Sequence, residues 1–164
     1  MRTRRQPRLP MAVWLEVALL TFLAIGGLVG GLAFITDRTG ASIGARLSWL
    51  DGTPVSDFLL PGLFLLMVFA IGSVVVIAGL VWRPDHGVLR RIDLASHHHW
   101  AWMRAVVMGA ALVAWILYEL TIFPERMALQ PMLLATGAAM AALCGLPSMR
   151  RYYAVPPSRG GDPR

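Results

Sequence analysis

The sequence predicts an all-α membrane protein, a bundle of four transmembrane helices with both termini in the cytoplasm. Three observations predict it. Of the 164 residues, 57% are hydrophobic and only 15% charged, whereas a soluble domain carries about 25% charged residues. Such a chain is too apolar to be solvated on all sides. The apolar residues fall into four runs, each near the roughly 20 helical residues that cross a hydrocarbon core of about 30 Å. Arginine is concentrated in alternate segments between those runs, as the positive-inside rule requires. The length fits one domain.

Residues 1–11 form a basic tail with Arg2, Arg4, Arg5 and Arg8. The first span covers about residues 12–36. Its apolar stretch exceeds the usual signal-peptide core of about 7–15 residues, and no A-x-A site closes it, so it reads as a retained signal anchor. Gly26, Gly27, Gly30 and Gly31 place two overlapping GxxxG patterns on it. Small residues four apart let helix backbones approach closely, inside the bundle or between copies. The segment after it, 37–56, is longer than a turn needs. Ile43, Leu47 and Leu50 recur there at helical spacing, with Arg46 and Trp49 between them. This suits either a short interfacial helix or an ordered loop with one anchoring Trp. Asp51-Gly52-Thr53-Pro54 reads as a turn. Ser56 or Asp57 can then cap the second span, about 58–81, where Pro61 is tolerated in the first turns.

Arg83, Arg90 and Arg91 follow the second span, and the third covers about 101–123. The fourth, about 128–146, is the shortest; Gly137 with Ala141 and Ala138 with Ala142 repeat the small-residue spacing. The transmembrane domain is therefore 12–147. A basic cytoplasmic tail, 148–164, carries Arg150, Arg151, Arg159 and Arg164 and is expected to be disordered, since Pro156-Pro157 and Gly160-Gly161 break regular structure. The opposite side of the membrane holds only Arg38, Arg46 and Arg126. All basic residues are Arg, with no Lys and no Asn in the chain. With abundant Ala, Gly, Pro and Val, that bias points to a GC-rich bacterial genome, hence to the bacterial cytoplasmic membrane as a multi-pass protein.

Ionisable groups inside a bilayer are costly and usually face the bundle interior. Glu16 and Arg104 each lie about one turn inside the inner end of a span, at matching depth, and are expected to form a structural ion pair or to snorkel to one interface. Glu119 lies near the outer end of the third span. Trp115, Tyr118, Glu119 and Ile122 follow the i, i+3, i+4, i+7 rule and share one helix face. Gln130 enters the fourth span and Asp57 the second at a similar depth. Asp57, Glu119 and Gln130 therefore form a candidate polar outer cluster. It suits a cation, a proton relay or a polar headgroup. It equally suits a hydrogen-bonded knot joining Glu119 to Gln130 or to a backbone carbonyl.

The order of motifs resembles a family. Asp37-x-x-Gly40 follows span one, and Thr53-Pro54-Val55-Ser56-Asp57-Phe58-Leu59-Leu60-Pro61-Gly62 enters span two. Trp115-x-x-x-Glu119 lies in span three, and Leu129-Gln130-Pro131 enters span four. Together they resemble a group of small four-helix membrane proteins of actinobacteria and other bacteria, over roughly residues 12–145. The resemblance implies the same topology and interest in Asp57, Glu119 and Gln130. It supplies no reaction.

Several function classes find no residues to carry them. Cys144 is the single cysteine and reads as a small buried hydrophobe, so no intrachain disulfide or CxxC pair can form. The consecutive His97-His98-His99 and the nearby His86 read as an interfacial polar patch. No histidine lies within a span, which argues against a haem held between helices. Phosphate loop, HExxH and GxSxG motifs are absent, and no cofactor or metal is expected. The arginines sit at the ends of apolar runs, so the basic charge suits headgroups rather than nucleic acid. The expectation is a non-enzymatic membrane protein of accessory or scaffold type, in contact with the lipid bilayer and with a partner membrane protein or a second copy. The alternative is a small oligomeric transporter or channel component using the polar outer cluster.

Overall fold

The fold is that of a computed structural model, which describes residues 9–82, 99–122 and 129–154. It is all-helical. Helix α1 is Met11–Thr36. Helix α2 is Leu59–Trp82, with a π-helical stretch at Leu65–Ile71. Helix α3 is Trp100–Ile122, α4 is Leu129–Gly145, and the short α5 is Pro147–Tyr153. Over the described residues the four long helices begin and end within one residue of the apolar runs. That agreement has a simple origin: a long apolar run satisfies its backbone only by closing helical hydrogen bonds on itself.

Three of these helices, α1, α2 and α3, are long and apolar enough to cross a membrane. A fourth span results if α4 and α5, bent by 62° where they join, count as one. Helix α1 packs along α2 and also meets α4, while α3 packs along α4 and the second half of α2. A shared core includes Leu20, Leu23, Phe69, Val76, Leu112, Ile116 and Met140. The outward faces are themselves apolar. Ile25, Val29, Leu60, Met67, Val74, Val107 and Leu117 are all exposed, a surface suited to lipid rather than water.

The glycines of α1 divide between two uses. A methyl group at Gly27 would lie 2.8 Å from the Ala70 backbone nitrogen, and one at Gly31 would lie 2.9 Å from the Gly62 carbonyl oxygen. Helices α1 and α2 therefore touch backbone to backbone, and Gly27 faces the π-helical turn. Gly30 meets only the Leu65 side chain, and Gly26 has nothing within 4 Å. Gly109 and Gly137 make the matching close contact between α3 and α4.

One of the two readings of segment 37–56 is set aside, and one expectation for the tail is corrected. The segment 37–56 holds no interfacial helix of regular length. It forms two 3-10 turns, Ala41–Ile43 and Leu47–Leu50. Gly44, at φ +78°, ends the first turn, so helical spacing of Ile43 and Leu47 never becomes one helix. The tail expected to be disordered from residue 148 begins with α5. Proline at its first position suits a helix start, and Met149 and Tyr153, four apart, are both buried. The Tyr153 hydroxyl donates to the Leu80 carbonyl oxygen at 2.7 Å. The remaining tail from 155, the N-terminal arginines, Arg83, Arg90, Arg91, Arg126, His86, His97 and His98 lie outside the described residues.

Candidate functional site

The end of the molecule that carries segment 37–58 is built from the loop inward. Asp37 accepts hydrogen bonds from the Thr39 hydroxyl at 2.6 Å, the Thr39 amide at 3.0 Å and the Ser42 amide at 2.8 Å. The Thr39 and Ser42 bonds hold its carboxyl below the usual 3.8, because each favours the charged acceptor. Gly40, at φ +75°, then turns the chain, and a methyl group there would strike Ala45 and the Phe58 ring. The fold needs glycine at this position for both reasons. Beyond the turn, Ala45, Trp49, Leu50 and Phe58 bury one another. Phe58 stacks on Phe34 of α1 at 4.6 Å between ring centroids, and its amide donates to the Arg38 carbonyl at 3.0 Å. The loop is thus a small ordered cap fastened to α1 and α2.

Between this cap and the helices lies a cavity of about 330 Å³. The cap and α1 supply Phe34, Leu50, Thr53, Val55 and Phe58; α2 supplies Leu60, Pro61 and Phe64. Helix α3 supplies Trp115, Tyr118, Glu119 and Ile122, the four residues that the helical spacing placed on one face. Trp115 stacks on Phe64 at 4.4 Å and meets the edge of Phe69 at 6.5 Å, so the residue before the π-helical stretch and one within it brace it. Its indole N–H donates to Glu119 Oε1 at 2.6 Å, and that bond fixes the carboxylate against the cavity wall. Among the described residues, Glu119 is the one acidic side chain lining the cavity.

The predicted polar cluster forms in part. The buried Gln130 side chain lies against the Glu119 carboxylate, so these two residues meet. Asp57 does not join them: it accepts the Leu59 amide at 3.0 Å and caps the start of α2. Neither Asp57 nor Gln130 lines the cavity. What the residue pattern did not show is the aromatic wall from Phe34, Phe58 and Phe64. Its only sequence signal was the aromatic and proline content of residues 54–64.

The ion pair predicted at the opposite end does not form among the described residues. Glu16 is fully buried, and neither carboxyl oxygen has a hydrogen-bond partner among the described residues. Arg104 is exposed on the outward side of α3. Depth along a helix does not fix which way a side chain faces: Glu16 faces the core and Arg104 does not. Glu16 instead lies near Cys144, which is free and buried as expected. Around them, the Trp102 indole donates to the Cys144 carbonyl at 3.0 Å. His99, placed in a polar surface patch by the sequence, is buried, and its amide donates to the Tyr153 carbonyl at 2.8 Å. The first contact joins α3 to α4; the second, together with the Tyr153 hydroxyl on Leu80, fastens α5 to the start of α3 and the end of α2.

Among the described residues, no three His, Cys, Asp or Glu side chains come together in a way that could hold a metal ion. Comparison with protein-family models, curated proteins and solved structures finds no match to this chain.

Proposed function

We propose that this protein is a non-enzymatic accessory component of a bacterial cytoplasmic membrane, a four-span bundle with both termini inside, that packs against a partner membrane protein. The observation that carries the reading is the outward face of α4. Ala135, Ala138, Ala139, Ala141, Ala142 and Gly145 are all exposed, and their spacing of four makes paired small-residue tracks. A lipid-facing helix has no need of such a face, whereas a second helix backbone can approach it closely. Gly26 on α1 is open in the same way. The arginine asymmetry supports the orientation.

Native mass spectrometry after gentle extraction tests the reading. A different polypeptide at fixed stoichiometry is expected, and Ala138→Leu with Ala142→Leu should release it while leaving the monomer folded. Recovery of monomer alone from wild type would overturn the proposal. A second reading, a small oligomeric transporter, draws on the cavity and its carboxylate. It predicts a homo-oligomer in the same measurement, and a flux in vesicles that Glu119→Gln abolishes.

A further inference from the structure

We propose that the cavity beneath the loop is a binding site for an organic cation, an ammonium group joined to an apolar body. The inference stands apart from the partner reading and rests on how the cavity is lined. Phe34, Phe58, Phe64, Trp115 and Tyr118 surround it, and Glu119 lines the same space. Aromatic faces carry the negative lobe of a quadrupole and attract cations, most strongly where water is excluded. In its ionised form Glu119 adds full charge of the same sign, and a bound cation favours that form. One Glu119 oxygen takes the Trp115 N–H and Gln130 lies against the same carboxylate, which can accept about four hydrogen bonds. Acceptor capacity therefore remains for a ligand.

Other occupants match less of the wall. An anion meets the carboxylate as repulsion. A neutral hydrocarbon fills the aromatic part and gives nothing to Glu119. A compact, strongly hydrated metal ion leaves the apolar walls unused. An alkyl or aryl ammonium uses both parts. The volume of about 330 Å³ lies at the small end of ligand pockets, about 300–1,000 Å³, so the group held is a single headgroup or a small molecule. The same chemistry is present in a free lipophilic ammonium and in the choline headgroup of a lipid.

The test titrates benzyltrimethylammonium into the purified full chain in a non-ionic detergent, by calorimetry. Saturable binding at one site is expected. Its carbon isostere neopentylbenzene, equal in shape but uncharged, should bind at least tenfold more weakly. Glu119→Gln should weaken the cation at least tenfold. Ile122→Trp, which fills the cavity and keeps the carboxylate, should abolish binding. Asp51→Asn removes a nearby exposed charge outside the cavity and should leave binding unchanged. Added phosphatidylcholine separates the two sources: competition with the probe marks the lipid headgroup, and its absence marks a free ammonium. Absence of saturable binding, equal binding of the isostere, or full binding by Ile122→Trp would overturn the proposal. The last two outcomes decide it even where Glu119→Gln fails to fold.

Discussion

Glu16 shows what a single side chain can cost. It is fully buried, and its two oxygens find no hydrogen-bond partner among the described residues. A buried polar group left unsatisfied costs about 1–3 kcal/mol. Glu16→Met keeps the volume and removes the polar atoms, so it should raise the thermal unfolding midpoint in detergent by roughly 2–12 °C, taking about 2–4 °C per kcal/mol for a chain of this size. A lower midpoint would mean that the carboxyl has a partner in a segment beyond the described residues. Asp37 is the opposite case, an exposed carboxyl with three donors. Because its folded pKa is depressed, its contribution is present above the unfolded value of 3.8 and is lost as the pH falls below it. The cap should therefore keep its order from pH 7 to pH 5 and loosen below 3.8. Asp37→Ala should loosen it at every pH. Hydrogen exchange at the Thr39 and Ser42 amides reads both effects, and unchanged protection in the alanine variant would remove Asp37 from the account.

At the scale of the element, neighbouring glycines on α1 make a controlled comparison. Gly27→Ala places a methyl group 2.8 Å from α2 backbone, while Gly26→Ala meets nothing within 4 Å. Backbone cannot move aside as a flexible side chain can, so Gly27→Ala should destabilise by about 1–3 kcal/mol, the usual range for overpacking. Gly26→Ala should match wild type. Denaturation of the two variants in the same detergent checks this, and equal stabilities would mean that α1 and α2 are not in backbone contact. The sequence shows the four glycines at equal prominence; only the rotation of α1 against α2 separates them. The same limit explains what else was legible. Each long helix could be read because crossing a hydrocarbon core is a property of one continuous run. The face Trp115, Tyr118, Glu119 and Ile122 could be read because it lies on one helix. The Glu16–Arg104 pair failed because depth along a helix says nothing of rotation about it. Helix α5 and the cavity wall were hidden because they depend on contacts distant in sequence, Tyr153 with Leu80 and Phe34 with Phe58.

At the scale of the whole molecule the open quantity is the number of crossings, and it turns on α4. With 17 residues, α4 is about 25 Å long at 1.5 Å per residue, a few ångströms short of a hydrocarbon core of about 30 Å. A short helix can still span by local thinning of the bilayer or by snorkelling of its flanks, at a cost of fractions of a kcal/mol per ångström. Arg150 and Arg151, in the last turn of α5, are placed to snorkel in this way. Cysteine labelling separates the cases, because each crossing switches the side of everything after it. In a Cys144→Ala background, Ser42→Cys lies in the cap and Ser148→Cys in α5, both at exposed positions. With four crossings and both termini inside, a membrane-impermeant maleimide added to spheroplasts should label residue 42 at once and residue 148 only after permeabilisation. Labelling of both from outside would mean three crossings, with α4 and α5 lying at the outer face. Labelling of residue 148 alone would reverse the orientation and set aside the arginine argument on which it rests.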